Sequence, residues 1–297
     1  MRELPGKSKV ALVFVSLRKG WKVSRTVLQV ISTYLSFPAR LLYIKQAAVE
    51  MFDVEIERWK VAFEYPRLCD FETWSATMVT EREVGAVVAG RWDRYLTTYL
   101  LSEGHSRRQA DFSPSRTDFG LVYSSVQATI YVFGGLARNS PEASSGALVL
   151  EASDWEALPS MTSPRYAFNP VIYGVLVYLC GGGVPSIETF NPYSKSFRRI
   201  SAFQLPPDPV EQWETSSSLG DSTIVILSGH SLSQFNPTAG TFHSKQLAAL
   251  SGQWRSAYSP SAPVVVGNCL YAVDCVMRVV QRLNIHCGRL EARLTAS

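Results

Sequence analysis

Ile130-Tyr131-Val132-Phe133-Gly134-Gly135 is the stretch that decides the fold. Four β-branched or aromatic residues in a row favour extended chain, and two glycines end the run where a side chain would crowd a neighbouring backbone. The unit recurs. Tyr178-Leu179-Cys180-Gly181-Gly182 lies 47 positions later, and Val225-Ile226-Leu227-Ser228-Gly229 another 47 on. Tyr271-Ala272-Val273-Asp274-Cys275 follows after 46 more. Going backwards, Ala86-Val87-Val88-Ala89-Gly90 stands 45 positions before Tyr131, and Tyr43-Ile44-Lys45-Gln46-Ala47 a further 43 before that. Six apolar strands at this spacing describe a chain of supersecondary units, each unable to bury its faces without a neighbour.

A second marker runs in phase with the first. Large side chains stand seven apart in Phe52/Trp59, Leu148/Trp155, Phe190/Phe197, Phe235/Phe242 and Leu283/Leu290. Between two of these pairs lie Asn191-Pro192-Tyr193-Ser194 and Asn236-Pro237-Thr238-Ala239-Gly240, compositions that initiate turns. Each unit therefore ends in a hairpin with one bulky residue on each arm. The copy near residues 95–108 is poor, since Tyr99 has no aromatic seven positions later.

These residues resemble a kelch repeat: a Tyr-x-x-Gly-Gly strand, an aromatic-Asn-Pro turn, a Trp, then Met and Pro-Arg. The middle of the chain carries Tyr131–Gly135, Trp155, Met161 and Pro164-Arg165, then Tyr178–Gly182, Phe190-Asn191-Pro192 and Phe197. The likeness covers about residues 115–245 by motif; the flanks share only the period and the seven-residue pair. It implies an all-β fold, a kelch-type β-propeller with six blades. The alternative is seven, with an incomplete N-terminal blade, because Phe14 and Trp21 also stand seven apart. On this reading residues 1–27 form an N-terminal segment with extra or closing strands, and residues 28–297 the propeller. Pro-rich Leu205-Pro206-Pro207-Asp208-Pro209 falls between two units, where a connecting loop belongs.

Composition agrees with a globular, sheet-rich chain: 46% hydrophobic, 18% charged, with 13 Tyr, 14 Phe and 7 Trp. The net charge of +4 comes from scattered residues, which argues against a nucleic-acid partner. The first apolar run is short and soon meets Arg18 and Lys19, and no stretch approaches the roughly twenty apolar residues of a membrane span, so no membrane partner is expected. The five cysteines are odd in number and form no Cys-x-x-Cys pair, which suits a reducing compartment and a soluble, cytoplasmic protein.

Catalytic patterns are weak. His105, His230, His243 and His286 do not form a metal-ligand spacing, no nucleophile elbow is present, and Gly181-Gly182-Gly183 leads into Val184-Pro185 rather than a phosphate-binding helix. No cofactor, metal or catalytic residue is expected, and the chain reads as a non-enzyme. Kelch resemblance keeps one alternative open, an enzyme acting on sugars of the galactose-oxidase or sialic-acid-epimerase kind. The leading expectation is a protein-interaction module, a scaffold or adaptor. Loops after the Gly-Gly strands and between blades gather on one face of a kelch domain. That face would carry Arg67, Arg91, Trp92, Arg94, Arg116, Arg138, Arg165, Arg255 and Arg278, with 136–146 as an adjustable rim. Arg and Trp are enriched at binding hot spots, and Arg pairs carboxylates bidentately, so an acidic peptide or loop suits this face.

Overall fold

The computed structural model describes residues 40–44, 48–53, 58–66, 71–80, 83–90, 96–112, 116–124, 127–137, 144, 146–151, 154–204, 215–219, 223–227, 231–246, 264–266, 268–274, 279–286 and 290–295. The chain divides into two compact units, Met1–Pro38 and Ala39–Ser297, and every described residue belongs to the second. The boundary expected at residue 27 lies outside the described residues, as do Phe14 and Trp21.

The described residues are all-β, with no helix among them. The first sheet is a meander of β1 (Arg40–Ile44), β2 (Ala48–Asp53) and β3 (Arg58–Glu64). The second runs β4 (Phe71–Thr80), β5 (Glu83–Gly90), β6 (Leu96–Ser102) and β7 (His105–Phe112). It is a full four-stranded sheet despite the weak signature near residue 99. A small ribbon pairs β8 (Arg116–Thr117) with β11 (Leu136–Ala137). The third sheet comprises β9 (Gly120–Ser124), β10 (Thr129–Phe133), β12 (Ala147–Glu151) and β13 (Asp154–Leu158). The fourth has β14 (Val171–Tyr173), β15 (Leu176–Leu179), β16 (Ser186–Asn191) and β17 (Ser196–Gln204). The fifth holds β18 (Thr215–Leu219), β19 (Thr223–Leu227), β20 (Ser231–Asn236) and β21 (Thr241–Gln246). The sixth closes with β22 (Val264–Val266), β23 (Cys269–Asp274), β24 (Val279–Asn284) and β25 (Leu290–Thr295).

All pairing is antiparallel and, apart from β10 with β12 and the β8–β11 ribbon, joins consecutive strands, so each sheet is a local fold of contiguous sequence. The repeated apolar units are β1, β5, β10, β15, β19 and β23, as the period requires. β1 is the first described strand of its sheet, and the other five are second strands. The strands preceding them, β4, β9, β14, β18 and β22, lie side by side from one sheet to the next and so form the inner edge. Strand β1 approaches β23, which makes the first and last sheets neighbours and the succession radial.

Period-two alternation explains the core. From β10, Tyr131 and Phe133 point into a cluster with Leu158, Val177, Leu179 and Phe190, between the third and fourth sheets. Ile130 and Val132 point the other way, into a cluster with Ala110, Phe119, Leu121 and Leu150, between the second and third. The same arrangement repeats between the fourth and fifth sheets around Tyr178, Ile224 and Phe235. Between the fifth and sixth it repeats around Val225, Leu227, Leu270 and Leu283. At these four junctions the second and third strands bury their faces against the neighbouring sheet. Cys180 is fully buried in one of these clusters, as a small apolar side chain.

The seven-residue pairs are cross-strand partners. Phe52 faces Trp59, Phe190 faces Phe197, Phe235 faces Phe242 and Leu283 faces Leu290. In the third sheet the register differs. Leu150, not Leu148, stands opposite Trp155, because the register of β12 and β13 runs to the pair Glu151↔Asp154. The Asn side chains hold the hairpin turns: Asn191 Oδ1 accepts from the amides of Tyr193 (2.9 Å) and Ser194 (3.3 Å), and Asn236 Oδ1 from those of Thr238 (3.0 Å) and Ala239 (2.8 Å).

Candidate functional site

The ends of a four-stranded meander alternate. Connections from first to second strand and from third to fourth lie at one end; connections from second to third strand and between sheets lie at the other. Of the sequence-predicted residues, Arg116 and Arg165 are described, and both lie at the second end. Arg67, Arg91, Trp92, Arg94, Arg138, Arg255 and Arg278 lie outside the described residues. Arg116 and Arg165 are described, and they correct the expectation that each presents its guanidinium to a partner. Arg116 is 7% exposed and Arg165 0%.

Both arginines are internal tethers. Arg116 Nη1 donates to the carbonyls of Gly134 and Gly146, each at 3.2 Å. Arg165 Nη1 donates to the Gly181 carbonyl, and its Nη2 to the Ser186 carbonyl at 2.6 Å and the Ser186 hydroxyl at 3.2 Å. The two sets are equivalent by repeat: in each, one arginine ties the first glycine after the second strand to the start of the third. Burial disfavours the charged form and pulls the Arg116 pKa down. Carbonyl dipoles offset that cost, since a buried guanidinium needs every donor engaged.

Arg165 also faces Glu188, with Nε and Oε2 3.7 Å apart and both side chains fully buried. That separation is ion-pair distance, too long for a hydrogen bond. Glu188 Oε1 accepts from the Thr162 amide at 2.7 Å, so one carboxylate fastens the connection 159–170 to β16. Sequence reasoning missed Glu188, because a single acid inside the apolar pattern of β16 reads as an exposed position. A usable signal for the arginines was present: Arg116-Thr117-Asp118-Phe119 and Arg165-Tyr166-Ala167-Phe168 stand 49 residues apart and share the Arg and the Phe.

Main-chain hydrogen bonds cross between the third and fourth sheets at the same end. The Gly135 amide donates to the Arg165 carbonyl (2.8 Å), the Arg165 amide to the Ser144 carbonyl (3.2 Å), and the Ala167 amide to the Asp118 carbonyl (2.6 Å). Gly134 has φ +63°, and a Cβ there would come within 2.2 Å of the Arg165 carbonyl oxygen. The glycine pair therefore answers two needs, a left-handed turn and close backbone approach. Of the expected rim, residues 138–143 and 145 lie outside the described residues; Ser144 is pinned, its amide donating to the Gly135 carbonyl at 2.8 Å. Asp118 stands beside the tethers with φ +54°. Burial pushes its carboxyl pKa up, and a 3.0 Å hydrogen bond from the Thr117 hydroxyl pulls partly the other way.

His105, His243 and His286 are exposed and lie on three different sheets; His230 lies outside the described residues. Among the described residues no three His, Cys, Asp or Glu side chains converge, and no helix is long and apolar enough to cross a membrane.

No family model and no curated protein matches the sequence. Solved structures do match. One is a chain of the crystal structure of a nidogen/laminin complex, with a TM-score of 0.58 and 12% sequence identity over 87% of this chain and 94% of that one. At such identity the likeness speaks to the fold alone. Together with the radial succession of antiparallel sheets, it establishes a β-propeller fold that is all-β among the described residues.

Proposed function

We propose that the chain is a six-bladed propeller of the kelch type and works as a protein-interaction module, binding a partner through the end of the ring that carries the inter-sheet connections. The observation that carries this reading is the tethering of that end. Arg116 and Arg165 each hold two backbone carbonyls, and three main-chain hydrogen bonds join neighbouring sheets there. Loops whose ends are fixed present their tips with little ordering left to lose on binding. The similar chain in the nidogen/laminin structure belongs to a protein–protein complex, which supports the same role. The six successive sheets and the repeated Arg-x-x-Phe with Gly-Gly support the kelch type.

With Arg116 and Arg165 engaged inside, the contact residues are Arg67, Arg91, Trp92, Arg94, Arg138, Arg255 and Arg278, and the partner is an acidic peptide or loop. The test is affinity capture with the native chain against an Arg91→Glu/Arg94→Glu/Arg138→Glu variant. Partners lost only by the variant, at unchanged melting temperature and with release of the native complex by salt, support the reading. Partners retained equally by both overturn it.

A further inference from the structure

Arg116 and Arg165 are repeat equivalents with unequal sets of partners. Around Arg165 stand Gly181, Ser186 and Glu188. Its terminal nitrogens donate to two carbonyls and to the Ser186 hydroxyl, and its Nε faces the buried Glu188 carboxylate at 3.7 Å. Arg116 donates through Nη1 alone, to the carbonyls of Gly134 and Gly146. Cross-strand register accounts for the difference. Leu179, opposite Glu188, is 47 positions after Val132, which stands opposite Leu148. The position that supplies a carboxylate in the fourth sheet therefore carries leucine in the third. Two residues before it, Gly146 stands where the fourth sheet has Ser186, so the hydroxyl is missing as well.

The result is a cation with part of its donor set unengaged, at the end of the ring that carries the inter-sheet connections. Among the described residues no carboxylate lies within ion-pair distance of Arg116. Burial pulls its pKa down and no neighbouring acid acts against that pull. Its Nε and Nη2 donate to no described residue, and neither is sealed from solvent: Arg116 is 7% exposed where Arg165 is 0%. These two nitrogens form one edge of the guanidinium, the fork that takes both oxygens of a carboxylate. Gly146 keeps the approach to this edge clear, since even a Cβ there would stand 3.1 Å from Nη2. The fourth sheet shows which group belongs beside such an edge, a single carboxylate.

We propose that the Nε–Nη2 edge of Arg116 is a binding site for the carboxylate of an aspartate or glutamate side chain on a protein partner. Arg116 holds its own loop with Nη1 and receives the partner with the opposite edge. The inference rests on the reading that this end of the ring binds an acidic peptide or loop, and it names one position within that face. The incoming acid supplies the carboxylate that β12 lacks.

The probe is N-acetyl-L-glutamic acid α-amide, titrated at constant ionic strength into the full chain isotope-labelled at arginine. The Nε–H resonance of Arg116, assigned through its own backbone amide, is followed by NMR. A saturable shift is expected, with the neutral isostere N-acetyl-L-glutaminamide binding at least roughly tenfold more weakly. Leu148→Glu installs on β12 the acid that β16 carries, and should abolish the saturable shift. Should that variant fail to fold, Gly146→Ser, which brings a hydroxyl to Nη2 as Ser186 does at Arg165, must weaken the probe several-fold. No saturable shift at Arg116, equal binding of the isostere, or undiminished binding by a folded blocked variant overturns the proposal. So does a shift that appears only in Glu142→Gln, since an acid of the chain itself would then hold this edge. Saturable shifts at Arg91, Arg94 or Arg138 with none at Arg116 overturn it while leaving this end as the binding end. A saturable shift at Arg116 supports it even where affinity capture shows the loop arginines to be idle.

Discussion

Arg165→Met is the substitution that the architecture punishes most. Methionine keeps the length and apolar stem of arginine while removing charge and donors. The side chain is wholly buried and faces Glu188 at 3.7 Å, also wholly buried. Breaking a buried pair by removing one partner costs about 3–5 kcal/mol, because the remaining charge is left without compensation. The carbonyls of Gly181 and Ser186 lose their donor in the same step, which puts the expected cost in the upper half of that range. Against a total stability of about 5–15 kcal/mol this is a large fraction. The informative comparison is Arg165→Met/Glu188→Leu. It removes the stranded carboxylate and leaves only the two carbonyls and the Thr162 amide to account for, so it should recover about 2 kcal/mol of the loss. Urea unfolding followed by tryptophan fluorescence and circular dichroism reads both variants, with coincident transitions licensing the free energies. A single variant that costs less than about 1 kcal/mol would refute the reasoning. So would a double variant no more stable than the single one, since charge compensation would then not be what holds this junction.

Three further outcomes are expected. Trp155 packs against the cluster between the second and third sheets, and its Nε1–H donates at 3.1 Å to Thr98 on β6; Trp155→Phe should lose about 1 kcal/mol by urea unfolding, and Trp155→Ala roughly 3 kcal/mol, at the low end for a large aromatic because the ring is only half-buried. Gly134→Ala and Gly174→Ala share φ +63°, but the added Cβ meets the Arg165 carbonyl in the first and open space in the second; the second should cost about 1 kcal/mol and the first at least twice that, and equal melting temperatures would count against the close approach. Asp118 has its pKa raised by burial in the folded state, so ionising it opposes folding. Stability should fall as pH rises from the unfolded pKa near 3.8 through the higher folded value; Asp118→Asn, which tolerates φ +54°, should melt above the native chain at pH 7, with the gain gone below pH 4.

The strand pattern was readable because it depends on side-chain alternation, which sequence records directly. Tyr131, Tyr178 and Val225 mark second strands, and the seven-residue pairs mark hairpin partners in four of the five instances. Leu148/Trp155 misled because the β12–β13 register is offset by two residues from that of the other hairpins, which the seven-residue spacing does not record. Which strand lies innermost was not readable. The inner strands β14 and β22 are three residues long and β18 begins Thr-Ser-Ser-Ser, too short or too polar to stand out beside the apolar second strands. For the arginines, sequence locates the loop but not the direction of the side chain. Arg165 is buried only because Gly181, Ser186 and Glu188 arrive from another strand pair to receive it.

The connection that carries Arg165 grips both of its neighbours: its main chain joins Gly135 in the sheet before, and its guanidinium joins Gly181 and Ser186 in the sheet after. Neither sheet can peel away without releasing the other, so this stretch behaves as one foldon rather than two. Amide hydrogens at Gly135 and Ala167 should then exchange with a common opening free energy, although they belong to different repeats. In a linear array, opening starts at a terminal repeat and runs inward; where the first and last sheets are neighbours, no terminal repeat is available. The slowest-exchanging amides would therefore mark a clasped junction such as the one at Arg165, with no gradient of protection running inward from the first and last sheets.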